Sequence, residues 1–432
     1  MRNAVSSGAA WMISGTLVTK AATFLAQVVC GKLLSDEDFG LVALAVAASK
    51  VLTICQDGGV RDLLVQGKPE DYDRLAGRVF WFAASFNLAV SLLIVAAAYP
   101  LSIFWYHRPE LIPMFLVLAL AVPLGTPAAV LQAKLRVDLR FRAVSWLALL
   151  TALLRQASTI CFAMIGLGAM SFIIPAAICA AVESLLSWWL TRDSIWRRPA
   201  AVDTWWDLYH KTKWLIYGSV ANLLIDRGPY LVMQPVLIWG GTSVRIATGT
   251  TGDYFWAYEM TGQIGVLLSY NMQLVLTPVL ARFKDDLVRM ANSTLRAMSG
   301  LMMVGSLASL GLAVVMDPME KLIFDGKWAS ATPAVGVFGI FFPFRILYGL
   351  STAVLVARSH TRAWCITSFI EGIAFTLAAV VAGLVASEHL FGGLVSVSAG
   401  SMAWITGGTL AVARIIITLW TLRGIGAPYR ES

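Results

Sequence analysis

Thr191-Arg192-Asp193-Ser194-Ile195-Trp196-Arg197-Arg198-Pro199-Ala200-Ala201-Val202-Asp203-Thr204-Trp205-Trp206-Asp207-Leu208-Tyr209-His210-Lys211-Thr212-Lys213 is the longest connection between the apolar runs of this chain. On either side of it the sequence returns to runs long enough to cross a bilayer, whose hydrocarbon core of about 30 Å takes about 20 residues of helix. Six runs precede it: Ala9–Gly31, Gly40–Gln56, Val79–Tyr99, Pro113–Ala133, Ala143–Gly166 and Met170–Leu190. Six follow: Trp214–Trp239, Tyr254–Leu280, Leu295–Met316, Pro333–Ala357, Trp364–Ala386 and Phe391–Leu422. The reading is an all-α polytopic membrane protein of twelve transmembrane helices in two six-helix bundles. The first bundle is 1–190, the linker 191–213 and the second bundle 214–432.

Composition agrees. Of 432 residues, 58% are hydrophobic and 13% charged, where a soluble domain is about 45–50% apolar and about 25% charged. The net charge of +8 would suggest a nucleic-acid partner in a soluble protein; here its placement matters more. With the N-terminus in the cytoplasm, the inside segments carry about 22 Lys and Arg and the outside segments about 5, the asymmetry expected of inside loops. The outside five are Lys32, Arg108, Arg245, Lys321 and Lys327. Both termini are therefore expected in the cytoplasm. The first run is too long for the apolar region of a cleaved signal, and no small-residue cleavage site follows it. The five cysteines lie within apolar runs and the four histidines lie far apart, so neither forms a metal motif.

The halves echo one another. Trp11-Met12-Ile13-Ser14-Gly15 opens the first span of one and Trp214-Leu215-Ile216-Tyr217-Gly218 that of the other; Asp38-Phe39 precedes span two and Asp253-Tyr254 precedes span eight. Six spans per half make parallel repeats, an arrangement in which transporters hold substrate between the halves.

A few charges remain inside the spans: Lys20, Lys50, Arg155, Arg227, Arg345 and Arg414, against Glu183, Asp226, Glu259 and Glu371. A charge at helix centre costs about 2.5–3.5 kcal/mol on insertion scales, so each needs an opposite charge, a wet cavity or a charged ligand. Thr16, Lys20, Thr23 and Gln27 recur on one helical stripe of span one; Ser49, Lys50, Thr53 and Asp57 on one of span two. Ser219, Asn222, Asp226, Tyr230 and Gln234 do so in span seven, and Glu259, Gly262, Ser269, Tyr270, Gln273 and Thr277, more roughly, in span eight. A cavity bounded by spans one, two, seven and eight accounts for this, with Ser, Thr and Gln serving equally well as glue between helices. The candidate substrate-binding residues are Lys20, Lys50, Arg227, Arg345, Thr16, Thr23, Gln27, Thr53, Asn222 and Tyr270. Neither Lys20 nor Lys50 has an acid one turn away on its own helix. Coupling or gating candidates are Asp57, Asp226, Glu259, Glu371, Gly228 and Pro229; Gly228-Pro229 falls in mid-span, where proline removes a backbone hydrogen bond and kinks a helix. Arg155 and Glu183 are expected to pair with each other or reach an interface, and Arg414 to snorkel.

Leu33-Leu34-Ser35-Asp36-Glu37-Asp38-Phe39-Gly40-Leu41-Val42-Ala43-Leu44-Ala45, followed by Gln56-Asp57-Gly58-Gly59-Val60, resembles the bacterial polysaccharide transport family, the Wzx-type flippases of the MATE-like (MOP) superfamily. The likeness covers about the first 70 residues by motif and the rest by hydropathy and topology; Ser35 stands where the family often has proline. The resemblance implies two six-helix bundles in a V around a central cavity. It implies a polyprenyl-diphosphate-linked oligosaccharide as substrate, turned across the inner membrane by alternating access for exopolysaccharide, capsule or O-antigen synthesis. A polysaccharide polymerase and chain-length machinery would be partners, besides membrane lipids, with no nucleic acid. In related lipid II flippases basic residues of helices one and two and of the second half line the cavity; Lys20 and Lys50 fit the first two, and Arg227 or Arg345 would serve the second half. No cofactor or enzyme activity is expected. A Walker A motif is absent, so drive would come from an ion gradient (H+ or Na+), the membrane potential or product consumption. A multidrug exporter of the same superfamily would favour an acidic cavity. A membrane polymerase would usually show a large periplasmic loop with arginines.

Overall fold

The structure, a computed structural model, describes residues 2–52, 69–138, 140–197, 205–265, 280, 286–358, 360–386 and 397–426. Among them are twelve α-helices: α1 (Arg2–Leu33), α2 (Asp36–Leu52), α3 (Pro69–Pro100), α4 (Leu111–Val137), α5 (Phe141–Met164), α6 (Met170–Thr191), α7 (Trp205–Trp239), α8 (Val244–Gly265), α9 (Leu287–Ile323), α10 (Thr332–Ala357), α11 (Thr361–Ala386) and α12 (Ala399–Gly426). Eight of these helices are long and apolar enough to cross a membrane by length and hydropathy. Helix is the only open structure that satisfies every backbone group within lipid, and apolar runs of this length leave the chain no alternative.

Two boundaries differ from the sequence reading. The last nine residues expected in the linker, Trp205–Lys213, belong to α7; none of the nine is proline or glycine. The eighth span begins at Val244, ten residues before Tyr254, so Asp253 lies inside it and is not the counterpart of Asp38. Val244–Asp253 is rich in Thr and Gly and reads as loop by hydropathy. Yet Thr248, Thr250, Thr251 and Asp253 are all buried. Thr248 and Thr251 return their hydroxyls to the Val244 and Ala247 carbonyls (2.7 and 2.8 Å), so the polar groups are bonded within the helix itself. The expected segments 53–56, 266–279 and 391–396 lie outside the described residues.

The chain divides into two compact units, Met1–Ser219 and Val220–Ser432, and one packing plan serves both. In the first, α4 packs on α3, α6, α2 and α5; α6 also packs on α5 and α2; α1 packs on α5 and α2 on α3. Add six to each number and every pairing recurs in the second: α10 on α9, α12, α8 and α11; α12 on α11 and α8; α8 on α9. The remaining pair, α7 with α11, meets through small residues. A Cβ on Gly372 would stand 2.6 Å from Leu224 Cβ and 3.1 Å from the Ala221 carbonyl, and one on Gly383 2.7 Å from Val236. Glycine is what lets these backbones approach.

Within the first unit, side chains tie alternate turns to opposite ends. The α3–α4 turn bonds to the start of α2 through Arg108 and Glu37 (2.5 Å). The α5–α6 turn reaches the same place: Ala169 N–H donates to Asp38 (3.0 Å). Gly168, at φ +54°, lies where a Cβ would strike the Asp38 carboxylate. At the other end Lys134 pairs with Asp193 (2.9 Å) and Arg140 donates to the Leu190 carbonyl (3.1 Å). The start of the linker is fastened there as well, with Ile195 buried against Tyr72, Ala76 and Val130. Lys134, Arg136, Arg140, Arg142, Arg192 and Arg197 thus gather at one end, Lys32 and Arg108 at the other. The arginine cap recurs in the second unit, where Arg358 donates to the Gly424 carbonyl (2.9 Å).

Polar side chains repair the helices they interrupt. Pro123 and Pro127 lie within α4. Ser184 of α6 inserts its hydroxyl there, donating to the Leu124 carbonyl (2.5 Å) and accepting from Ala128 N–H (3.3 Å), which resupplies the bonds a proline-broken turn loses.

Candidate functional site

The site is best built from the α1–α2 hairpin. Its turn is fixed by Ser35 and Asp38. The Asp38 carboxylate accepts from Ser35 N–H (3.0 Å) and Ser35 Oγ (2.8 Å), and Ser35 Oγ accepts from Asp38 N–H (3.1 Å). This is a capping box with aspartate in the acid position. Phe39 then packs edge-on against Phe172 of α6 (5.4 Å). The Ser35–Gly40 motif is therefore architecture; it sets the depth of two lysines. Lys20 lies thirteen residues before Leu33, the end of α1, and Lys50 fourteen after Asp36, the start of α2. At 1.5 Å per residue both stand about 20 Å along the hairpin from its turn, on antiparallel helices. Lys20 is half-buried and Lys50 exposed.

The neighbours of Lys20 on its stripe face protein. Thr23 returns its hydroxyl to the Thr19 carbonyl (2.9 Å) and accepts from Gln156 of α5 (3.2 Å); Gln27 is buried. Thr16 lies on α1. Thr53, Asp57 and the Gln56–Val60 motif lie outside the described residues. Glu183 accepts from Gln132 Nε2 (2.6 Å), and Arg155 is exposed. Of the two alternatives for Arg155 and Glu183, pairing with each other or reaching an interface, the pairing gives way to a bond between α4 and α6, because Gln132 is the polar group that α4 turns toward Glu183.

The second unit treats its charges differently. Arg227 Nη1 donates to Glu259 Oε1 (3.0 Å) across α7 and α8, its guanidinium 5.9 and 5.8 Å from the rings of Tyr230 and Phe255. Arg345 of α10 lies over the Tyr258 ring at 4.3 Å. Gly262 provides the room, since a Cβ there would stand 3.7 Å from Arg345 Nη2. Arg345 Nη1 is buried with no hydrogen-bond partner. Arg414 Nε donates to Glu371 (2.6 Å), and both side chains are almost wholly buried (5% and 1% exposed). Arg414 therefore does not snorkel. Two opposite charges in the middle of spans eleven and twelve were the available signal for this pair. Asp226 is exposed and Asn222 half-buried on α7; Ser269, Tyr270, Gln273 and Thr277 lie outside the described residues. Gly228 and Pro229 are buried within an unbroken α7. Gly228 faces Thr376 of α11 so closely that a Cβ would collide with its hydroxyl.

Counting from the turns aligns the two sets. Arg227 lies twelve residues before Trp239, the end of α7, and Glu259 fifteen after Val244, the start of α8. These are, within a residue, the places of Lys20 and Lys50. Where the first unit has two lysines the second has an ion pair.

Comparison with known proteins places this arrangement. The model of a family described as polysaccharide biosynthesis protein matches residues 29–333. The chain belongs to that family. It is 22% identical over 341 residues to the lipopolysaccharide biosynthesis protein WzxC of Escherichia coli (strain K12), covering 78% of this chain and 66% of that protein. It is 20% identical over 336 residues to the succinoglycan biosynthesis transport protein ExoT of Rhizobium meliloti (strain 1021), with the same coverage. The chain thus spans just under two thirds of the length of these curated relatives. Among solved structures it is similar to an inward-facing multidrug resistance MATE family transporter of the MOP superfamily (TM-score 0.73, 14% identity, 98% of this chain and 99% of that one). It is also similar to the lipid II flippase MurJ in an inward closed conformation (TM-score 0.62, 15% identity, 96% and 87%). The family member described here is a multi-pass membrane protein with the MATE-like fold.

Proposed function

We infer that this polysaccharide biosynthesis protein is a flippase. It carries a polyprenyl-diphosphate-linked oligosaccharide from the cytoplasmic to the periplasmic leaflet of the inner membrane by alternating access and is not an enzyme. The observation that carries the reading is the family match over a fold whose first two helices hold Lys20 and Lys50 at one depth. A lysine deep in a membrane protein keeps its charge only beside water or an anion, and a diphosphate is the anion that lysine serves as a point charge. The sequence relatives support transport of polysaccharide precursors, and the likeness to the lipid II flippase supports a lipid-linked one. A cationic drug would be repelled by the same lysines. The basic and base-poor ends of the first unit support termini in the cytoplasm: reporter fusions at Trp205 should report cytoplasm and those at Arg108 periplasm.

The test is deletion of the gene. Surface polymer should be lost while the undecaprenyl-linked repeat unit accumulates, accessible only from the cytoplasmic face. Unchanged polymer would contradict the reading. A repeat unit that reaches the periplasmic face unpolymerised would instead assign the chain to polymerisation.

A further inference from the structure

The first unit carries a second feature, away from the α1–α2 hairpin. Where α5 and α6 diverge at the basic end lies a groove of about 550 Å³, walled by Ala143, Trp146, Leu147, Leu150, Leu186 and Trp189, with Arg140 and Arg142 at its rim. Trp146, Leu150 and Trp189 are exposed to the surroundings of the bundle. In a membrane-spanning chain an exposed apolar wall faces lipid and asks for no special partner. Tryptophan marks the level where hydrocarbon meets headgroups. What distinguishes this groove is its rim.

Three positive elements converge there. Arg140 is exposed and spends one nitrogen on the Leu190 carbonyl, out of the five N–H groups of a guanidinium. Arg142 is exposed as well. The N-terminus of the 24-residue α5 opens between them, and Arg140, its capping residue, makes no side-chain cap; the Ala143 and Val144 N–H groups return to the Arg140 carbonyl (3.0 and 3.3 Å), and the first turn presents the positive end of the helix dipole. Among the described residues, Asp193 is held by Lys134 and Asp138 is exposed.

We propose that the α5–α6 groove binds an anionic glycerophospholipid of the cytoplasmic leaflet. One acyl chain lies along Trp146, Leu150 and Trp189, and the phosphate sits between Arg140, Arg142 and the first turn of α5. Basic pockets between membrane helices at the cytoplasmic side recognise such headgroups. The inference needs only the basic end of the bundle to face the cytoplasm and is independent of what the protein transports.

The full-length protein is extracted in detergent micelles doped with equimolar phosphatidylglycerol, phosphatidylcholine and undecaprenyl phosphate, and retained lipids are counted by native mass spectrometry. Phosphatidylglycerol should be retained in preference to phosphatidylcholine. Arg142→Gln should reduce that preference about fivefold at unchanged phosphatidylcholine retention, and Arg142→Lys should keep most of it. Arg140→Gln, which also uncaps α6, serves as a second variant. A native protein that retains both glycerolipids equally would overturn the proposal, as would an Arg142→Gln protein as selective as the native one. Undecaprenyl phosphate displacing phosphatidylglycerol from the native protein would give the groove to an isoprenoid lipid and overturn it too.

Discussion

The two units share a packing plan and differ in what they do with charge. In the second, Arg227 meets Glu259, Arg414 meets Glu371, and Arg345 lies on the face of Tyr258. In the first, the positions matching Arg227 and Glu259 are Lys20 and Lys50, one half-buried and one exposed. A repeat that keeps its helix contacts while changing charge at one level shows which part is scaffold and which is free to specialise. The second unit pairs interior charges across its helices; the first joins helices through Gln132 and Glu183 (2.6 Å), Asn87 and Thr126 (2.8 Å) and Ser91 and the Ala119 carbonyl (2.8 Å).

This contrast predicts that charge removal in the second unit costs stability. The largest effect belongs to the buried pair. Glu371→Gln should take the carboxylate away from the buried Arg414 and cost about 3–5 kcal/mol, the range for halving a buried ion pair, seen as a large fall in the thermal midpoint of the purified protein. Removing both charges in Glu371→Gln, Arg414→Gln should recover part of the loss. A neutral Glu371→Gln would mean that the second unit does not depend on its charges and would dissolve the contrast. Next comes the α7–α11 seam. Gly372→Ala forces a methyl against Leu224 and the Ala221 carbonyl and should cost about 1–3 kcal/mol as overpacking does. Asp38→Ala breaks the α1–α2 cap and its bond to Ala169, for about 0.5–2 kcal/mol; transport should fall with it, because the turn sets the depth of both lysines. The smallest change is Gly15→Ala in α1. A Cβ there has nothing within 4 Å, so the variant should gain up to about 1 kcal/mol from helix propensity. Destabilisation there would show that α1 is packed as tightly as α11.

Much of this fold is legible in the sequence because apolar length and loop charge are strong signals. The helices around Leu111–Val137 or Thr361–Ala386 follow from hydropathy alone. The start of α8 does not, because Thr248 and Thr251 satisfy their hydroxyls inside the helix, and hydropathy scores them as though they faced water. The interior charges are visible as residues and invisible as pairs. Arg414 and Glu371 lie 43 positions apart, and only packing decides that they meet while Glu183 turns to Gln132. The run Leu33–Ala45, with Gln56–Val60, resembles the family to which the chain belongs, and the role of Ser35 and Asp38 as a cap became visible only once Ala169 and Phe172 were brought beside them.

The central claim is that Lys20 and Lys50 bind the lipid-linked diphosphate, and the most direct measurement is polymer export by Lys20 and Lys50 variants. Surface polymer is quantified per unit of protein in the membrane, together with the thermal midpoint of each purified variant. Lys20→Gln and Lys50→Gln should each abolish export while the protein still reaches the membrane at native levels. Lys20→Arg and Lys50→Arg should retain part of the export, because the requirement is for charge. Normal export by the Lys20→Gln, Lys50→Gln double variant, present at native levels in the membrane, would contradict the claim and return both lysines to the scaffold.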